Sequence, residues 1–135
     1  DYAHTPDAFK KILSTIKKIN PNKKIITLFG CGGDRDKNKR PIMAEMAEKF
    51  SYKVIITDDN PRYEDPQKII DEIVSGFKMD NHNIINDRRR ALEREIKDLA
   101  EDQILVVLGK GIENYQIIKN KNTYHSDSEI IESLI

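Results

Sequence analysis

At 135 residues the chain is the size of one domain and long enough to bury a core. Its 23 basic and 23 acidic residues cancel, which argues against broad electrostatic binding to nucleic acid or an anionic membrane surface. A single cysteine, Cys31, excludes an internal disulfide and fits a reducing compartment, so a cytoplasmic location is expected; no apolar run approaches a membrane span, and no membrane insertion is expected.

The opening residues, Asp1-Tyr2-Ala3-His4-Thr5-Pro6, carry no initiator methionine and read as the interior of a longer protein. A piece of a longer chain is therefore expected. Thr5 as N-cap and Pro6 at the first helical position start a helix whose apolar stripe is Phe9, Ile12, Leu13 and Ile16. Pro21 ends it. Ile25 to Phe29 is a short apolar, β-rich run stopped by Gly30, hence a buried strand. A polar loop from Gly32 to Lys39 leads into a helix near Pro41 with Met43, Met46, Ala47 and Phe50 inward. Val54 to Thr57 is a second strand. Asp65-Pro66 caps a third helix, with Ile69, Ile70, Ile73, Val74 and Phe77 facing the core.

Ile84-Ile85 is a weak strand, and Asp87 caps a fourth helix carrying Ala91, Leu92, Ile96 and Leu99. Ile104 to Leu108 is the clearest strand in the chain, closed by Gly109-Lys110-Gly111. Tyr115 to Lys119 forms another strand that turns at Asn120-Lys121-Asn122, and Ser126 or Asp127 opens a last helix. Strands alternating with helices give an α/β fold: a mainly parallel sheet of about six strands with helices on both faces. One antiparallel strand is expected at the turn near residue 120.

Three partial motifs are considered and set aside. Gly30-Cys31-Gly32-Gly33 follows a strand, but Arg35 stands where a dinucleotide fingerprint needs glycine, and the next helix begins too late to meet a pyrophosphate. Asp34, Asp36, Asn38 and Glu45 mimic calcium-loop spacing, yet Lys39 occupies the glycine position and three cations crowd the loop. Gly109-Lys110-Gly111 lacks the spacing of a phosphate loop. His4, His82 and His125 lie far apart without ligand spacing, so no metal site is expected. Cys31 reads as a packed residue. The run Arg88-Arg89-Arg90 reads as a solvated face, with a protein contact as the second reading.

Polar groups at three strand ends remain: Arg35 after the first strand, Asp59-Asn60-Pro61-Arg62 after the second, and Glu113 after Ile104–Leu108. In a parallel sheet such ends converge on one edge, where α/β folds bind ligands. A rigid proline, a guanidinium fork and a carboxylate held side by side suit a small zwitterion.

In order along residues 1 to about 131, the chain carries Asp1-Tyr2-Ala3-His4-Thr5-Pro6-Asp7, Phe29-Gly30-Cys31-Gly32-Gly33-Asp34-Arg35-Asp36, Arg40-Pro41, Asp59-Asn60-Pro61-Arg62, and Gly109-Lys110-Gly111 with Glu113 and Tyr115-Gln116. With these motifs it resembles the C-terminal domain of the Mur ligases, in the pattern of members that add the third residue of the peptidoglycan stem peptide. The resemblance implies a Rossmann-like three-layer sandwich across residues 1–135, serving as the amino-acid-binding domain of a longer enzyme. It also implies an ATP- and Mg2+-dependent amide ligase that joins meso-diaminopimelate to UDP-N-acetylmuramoyl-L-alanyl-D-glutamate. The nucleotide loop and metal ligands would lie on a central domain, and the UDP-binding region on an N-terminal one, both outside this chain. No catalytic residue is expected here, the isolated chain is expected to be inactive, and the protein is expected to be a monomer.

Carried over by position, the resemblance assigns Arg35, Asp59, Asn60, Arg62, Gly109 and Glu113 to meso-diaminopimelate, and Asp1 and His4 to the ATP side. Two positions depart from the pattern: Ile112 stands where the family usually has histidine, and Asn114 where it usually has aspartate. Two alternatives are kept open. One is a free-standing amino-acid-binding module, and the other a lysine-adding or folylpolyglutamate-type ligase domain, against which the position of Arg62 argues.

Overall fold

The computed structural model describes all 135 residues. The elements run α1 (Pro6–Ile19), β1 (Lys24–Phe29), α2 (Lys39–Phe50), β2 (Lys53–Ile56), α3 (Pro66–Val74), β3 (His82–Ile84), α4 (Arg88–Lys97), β4 (Gln103–Val107), β5 (Tyr115–Ile118), β6 (Lys121–Tyr124) and α5 (Asp127–Leu134). Four strands form a parallel sheet in the order β3-β2-β1-β4. No helix of the chain is long and apolar enough to cross a membrane.

Alternation along the buried strands builds two cores. Ile25 and Phe29 of β1, with Val54 and Ile56 of β2, face α1, α2 and α3, where Phe9, Leu13, Met43, Ala47, Ile69 and Ile73 meet them. Ile26, Leu28 and Ile55 point to the other face and pack on Ala91 and Leu92 of α4 and Ile130 of α5. The result is the expected three-layer sandwich. Phe9 and Phe29 lock α1 to β1 edge-to-face, with ring centroids 4.9 Å apart. The caps fall where the sequence places them: Thr5, Asp65, Asp87 and Ser126 each accept a first-turn backbone N–H through their side chains.

Six strands are present, but they divide between two sheets. β5 and β6 pair antiparallel in a separate hairpin. The chain turns at Lys119-Asn120 rather than at 120–122, with Lys119 in the left-handed region at φ 55°, so Lys121 and Asn122 enter β6. A parallel bridge between Arg62 and Ile118 ties the hairpin to the β2 loop, and the Gln116 side chain and the Ile117 N–H add hydrogen bonds to the Asp59 carbonyl and Asn60 Oδ1.

The reading of Arg88-Arg89-Arg90 as a solvated face is corrected at its first residue. Arg88 is 1% exposed. Its Nε and Nη2 donate to the two Asp127 oxygens at 2.9 and 2.7 Å, and Nη2 also reaches the Leu108 carbonyl at 3.1 Å. A guanidinium at the start of α4 is tolerated because a bidentate carboxylate neutralises it. Burial would raise the Asp127 carboxyl, but hydrogen bonds from His125 and Arg88, with the Arg88 charge, hold it well below the usual range. α4 also differs from expectation at its end. Glu95 is buried against Lys53, while Leu99 lies beyond the helix and is exposed.

Candidate functional site

The carboxyl ends of β1, β2 and β4 lie side by side because the sheet is parallel and β1 is flanked by β2 and β4. The loops that leave them are stitched together by backbone. Gly33 N–H donates to the Asn60 carbonyl at 2.8 Å. A Cβ on Gly33 would sit 1.8 Å from the Pro61 carbonyl oxygen, so only glycine permits this approach. Glu64 reinforces the seam by accepting from the Asp34 N–H at 2.8 Å.

Together the loops enclose a polar cavity of about 200 Å³. All six residues assigned to the amino acid line it: Arg35, Asp59, Asn60, Arg62, Gly109 and Glu113. His4 joins them at the rim, with Tyr2, Lys39, Met43, Cys31, Gly30 and Gly32 completing the wall. Asp1 lies elsewhere, on an apolar groove of about 390 Å³ beside α1 with Ala3, Ala8 and Ile12.

Arg62 sits at φ 53°, a conformation few non-glycine residues adopt. It is held there by both of its backbone polar groups: its N–H donates to the Ile117 carbonyl at 3.0 Å, and its carbonyl accepts from the Lys119 N–H at 2.6 Å. Its Nη1 donates to the Gly33 carbonyl at 3.0 Å. One nitrogen is thus used to orient the guanidinium, and the remaining donors are available to a carboxylate. Arg35 is exposed, its Nη1 on the Asp34 carbonyl at 3.0 Å.

Asp59 and Asn60 are buried and already partnered within the protein. Asp59 pairs with the fully buried Lys110 at 3.1 Å, and Asn60 Oδ1 accepts from Lys110 Nζ at 2.9 Å and from the Ile117 N–H at 3.0 Å. Glu113 is reached by Asn60 Nδ2 at 3.4 Å. Gly109, at φ 112°, leaves room for the second Asp59 oxygen, which would lie 3.1 Å from a Cβ placed there. The cavity therefore presents a guanidinium near its first two loops and carboxylates from Asp59 and Glu113 toward the third. Opposite charges at separate points fit a zwitterion.

Cys31 is buried, as expected of a packed residue, with its Sγ 3.9 Å from the Met43 sulfur. Burial pushes its thiol up to about 12, which rules it out as a ready nucleophile. Ile112 is 98% exposed and does not line the cavity. Asn114 contributes its carbonyl to the His125 N–H at 3.1 Å. Asp1 Oδ1 accepts from the Ala3 N–H at 2.7 Å, and His4 Nδ1 lies 2.8 Å from the Tyr2 carbonyl. A carboxylate with a second free oxygen suits ribose hydroxyls, while no group of three His, Cys, Asp or Glu side chains is placed to hold a metal ion.

Sequence reasoning missed Lys110 and Arg40. Both are fully buried cations that hold site loops: Lys110 through Asp59 and Asn60, Arg40 through Glu64 and the Gly32 carbonyl at 2.9 Å. The available signal was position, since Lys110 lies between two glycines at a strand end.

A family model described as "Mur ligase, glutamate ligase domain" matches residues 1–111. The chain is 44% identical over its whole length to UDP-N-acetylmuramoyl-L-alanyl-D-glutamate–2,6-diaminopimelate ligase 1 of Clostridium acetobutylicum, and 51% identical to the corresponding ligase of Buchnera aphidicola subsp. Baizongia pistaciae. It covers 28% and 27% of those relatives, a little over a quarter of their length. A solved UDP-N-acetylmuramoyl-L-alanyl-D-glutamate–2,6-diaminopimelate ligase superposes on the entire chain with a TM-score of 0.93 at 40% identity, the chain covering 28% of it. A folylpolyglutamate synthase from Thermotoga maritima shares the fold at a TM-score of 0.60, 23% identity and 81% of this chain, the match covering 24% of the synthase. On the family model and the whole-chain identities together, the chain belongs to the Mur ligase family, as its glutamate ligase domain.

Proposed function

We propose that residues 1–135 form the C-terminal, amino-acid-binding domain of an ATP- and Mg2+-dependent ligase that adds meso-diaminopimelate to UDP-N-acetylmuramoyl-L-alanyl-D-glutamate in the cytoplasm. The observation that carries this reading is the convergence of Arg35, Asp59, Asn60, Arg62, Gly109 and Glu113 on one polar cavity. meso-Diaminopimelate bears two carboxylates and two ammonium groups. Arg62 forks onto the distal carboxylate, and Glu113 accepts from the distal ammonium. L-Lysine lacks that carboxylate and would leave the guanidinium desolvated without a partner.

The chemistry of the amide bond lies with domains that precede this one. Asp1 and His4 face the nucleotide as the domain closes, and the magnesium ion is held by the other domains. What this chain supplies is selection: an amino acid whose charges match the cavity is held with its reacting amine toward the activated γ-carboxylate of D-glutamate.

The test is product formation by the full-length protein from ATP, the UDP-dipeptide and either meso-diaminopimelate or L-lysine. A preference for meso-diaminopimelate of roughly a hundredfold or more in kcat/KM is expected. Comparable use of L-lysine would overturn the assignment. The 135-residue chain alone is expected to form no product.

A further inference from the structure

Lys110 has no exposed surface. It donates to Asn60 Oδ1 at 2.9 Å and to the Tyr115 carbonyl at 2.9 Å, and pairs with Asp59 Oδ1 at 3.1 Å. Two of the three ammonium protons are taken by those hydrogen bonds, and the charge is paired with Asp59. It is fully buried and not part of the cavity lining, so this lysine is turned into the protein rather than toward a ligand despite standing in a glycine-flanked strand-end loop.

The consequence falls on Asn60. Its Oδ1 faces two groups that can only donate, the Lys110 ammonium and the Ile117 N–H at 3.0 Å. A flipped amide would set its NH2 against both, so the orientation is forced. Nδ2 then points to the cavity side, where it meets Glu113 Oε2 at 3.4 Å. Lys110 likewise engages one oxygen of Asp59 and leaves the other beside Gly109.

We propose that Lys110 is a positioning residue that sets the polarity of the amino-acid cavity, fixing Asn60 as a hydrogen-bond donor and anchoring Asp59 by one oxygen. Removing the ammonium takes away one of the two donors that hold the Asn60 amide, leaving the Ile117 N–H alone, and strips a buried carboxylate of its counter-ion. Both changes disturb recognition of the amino acid while leaving the other substrates alone. The identity of that amino acid rests on the proposed function; the positioning role does not.

The experiment uses the full-length enzyme with Lys110→Met. KM for meso-diaminopimelate is expected to rise roughly tenfold or more, with KM for ATP and for the UDP-dipeptide within about twofold of wild type. A rise shared equally by all three substrates, or no rise, overturns the proposal. Asn60→Asp provides the second arm, since it keeps an acceptor for Lys110 and Ile117 but replaces the donor on the cavity side. It is expected to give the same selective rise, and an unchanged amino-acid KM overturns the proposal even where Lys110→Met does not fold. Wild-type enzyme that makes product only with another amino acid defeats the proposed function instead, and the Lys110 comparison is then read on that amino acid.

Discussion

Arg40 meets both oxygens of Glu64, Nη1 to Oε2 and Nη2 to Oε1, at 3.0 Å each. The guanidinium is fully buried in the first turn of α2, and Glu64 belongs to the loop that follows Arg62. The same fork reaches Glu72 of α3 at 2.8 Å and the Gly32 carbonyl at 2.9 Å. One side chain thereby ties the β1 loop, the β2 loop and α3 together. Arg40→Met would strand two carboxylates, and a loss of about 3–5 kcal/mol is expected, as for breaking a buried charge pair from one side. Urea unfolding of the chain measures it; a loss below about 1 kcal/mol would show that the fork does not anchor the loops.

Hydrogen bonds from Arg40, helped by the Asp34 N–H, hold the Glu64 carboxyl down at about 2, against an ordinary 4.5. A depressed acid contributes stability that is fully present above its unfolded pKa and lost as pH falls toward its folded one. The Glu64 contribution is therefore complete above about pH 4.5 and disappears toward pH 2. Glu64→Gln is expected to lower the melting temperature at pH 7 and to approach wild type at pH 2–3. Thermal unfolding across that range decides it, and a deficit that stays constant with pH would remove the charge from the explanation.

Asp58 behaves with the opposite sign. Burial, aided by the nearby Asp87 charge, pushes its carboxyl up to about 6 from an ordinary 3.8. The folded state prefers the protonated form, so this favourable contribution holds below about pH 3.8 and is lost as pH rises through about 6. Asp58→Asn is expected to raise the melting temperature at pH 8 and to change it little at pH 3.5. A variant less stable than wild type at pH 8 would contradict the sign.

What the sequence made legible is what is written locally. Thr5, Asp65 and Asp87 announce their helices because a cap and its N–H partner lie within three residues. Phe9, Leu13 and the β1 run show a buried face through spacing alone. The site was legible through topology, since parallel strands bring Arg35, Arg62 and Glu113 to one edge wherever their loops begin. The buried charges were hidden. Arg88 and Asp127 are 39 positions apart, and Lys110 and Asn60 are 50 apart, so no local pattern pairs them and only the fold does. Glu48 is a further case: its carboxylate accepts from the Lys78 and Met79 N–H groups about thirty residues away, at 3.0 and 3.1 Å. The separate hairpin was hidden for a different reason. Period-2 patterning marks a strand without saying which sheet it joins.

Gly109 combines backbone conformation with space. Its φ of 112° is one that side chains rarely adopt, and an added methyl would press on Asp59 Oδ2 at 3.1 Å. Gly109→Ala is expected to cost about 1–3 kcal/mol in unfolding and to raise KM for the amino acid, because the carboxylate displaced is one that lines the cavity. A destabilised variant with unchanged amino-acid KM would mean that Asp59 Oδ2 does not face the ligand.

In the proposed function Arg62 carries the choice of substrate, and its geometry makes the expected outcome asymmetric between two amino acids. The side chain is aimed by the Gly33 carbonyl at 3.0 Å and by a backbone pinned to Ile117 and Lys119, so its free donors address one point in the cavity. In the full-length enzyme, Arg62→Ala is expected to weaken kcat/KM for meso-diaminopimelate by roughly 2–5 kcal/mol, the cost of removing one partner of a hydrogen-bonded charge pair. L-Lysine has no distal carboxylate to lose, so its poor activity should stay nearly constant and the ratio between the two should collapse. Arg62→Lys is expected to fall well short of wild type, because a point charge cannot reproduce a planar fork held at this angle. An Arg62→Ala enzyme that keeps its full preference would move the selecting contact elsewhere in the cavity, to Arg35 first, since that is the other guanidinium on its wall.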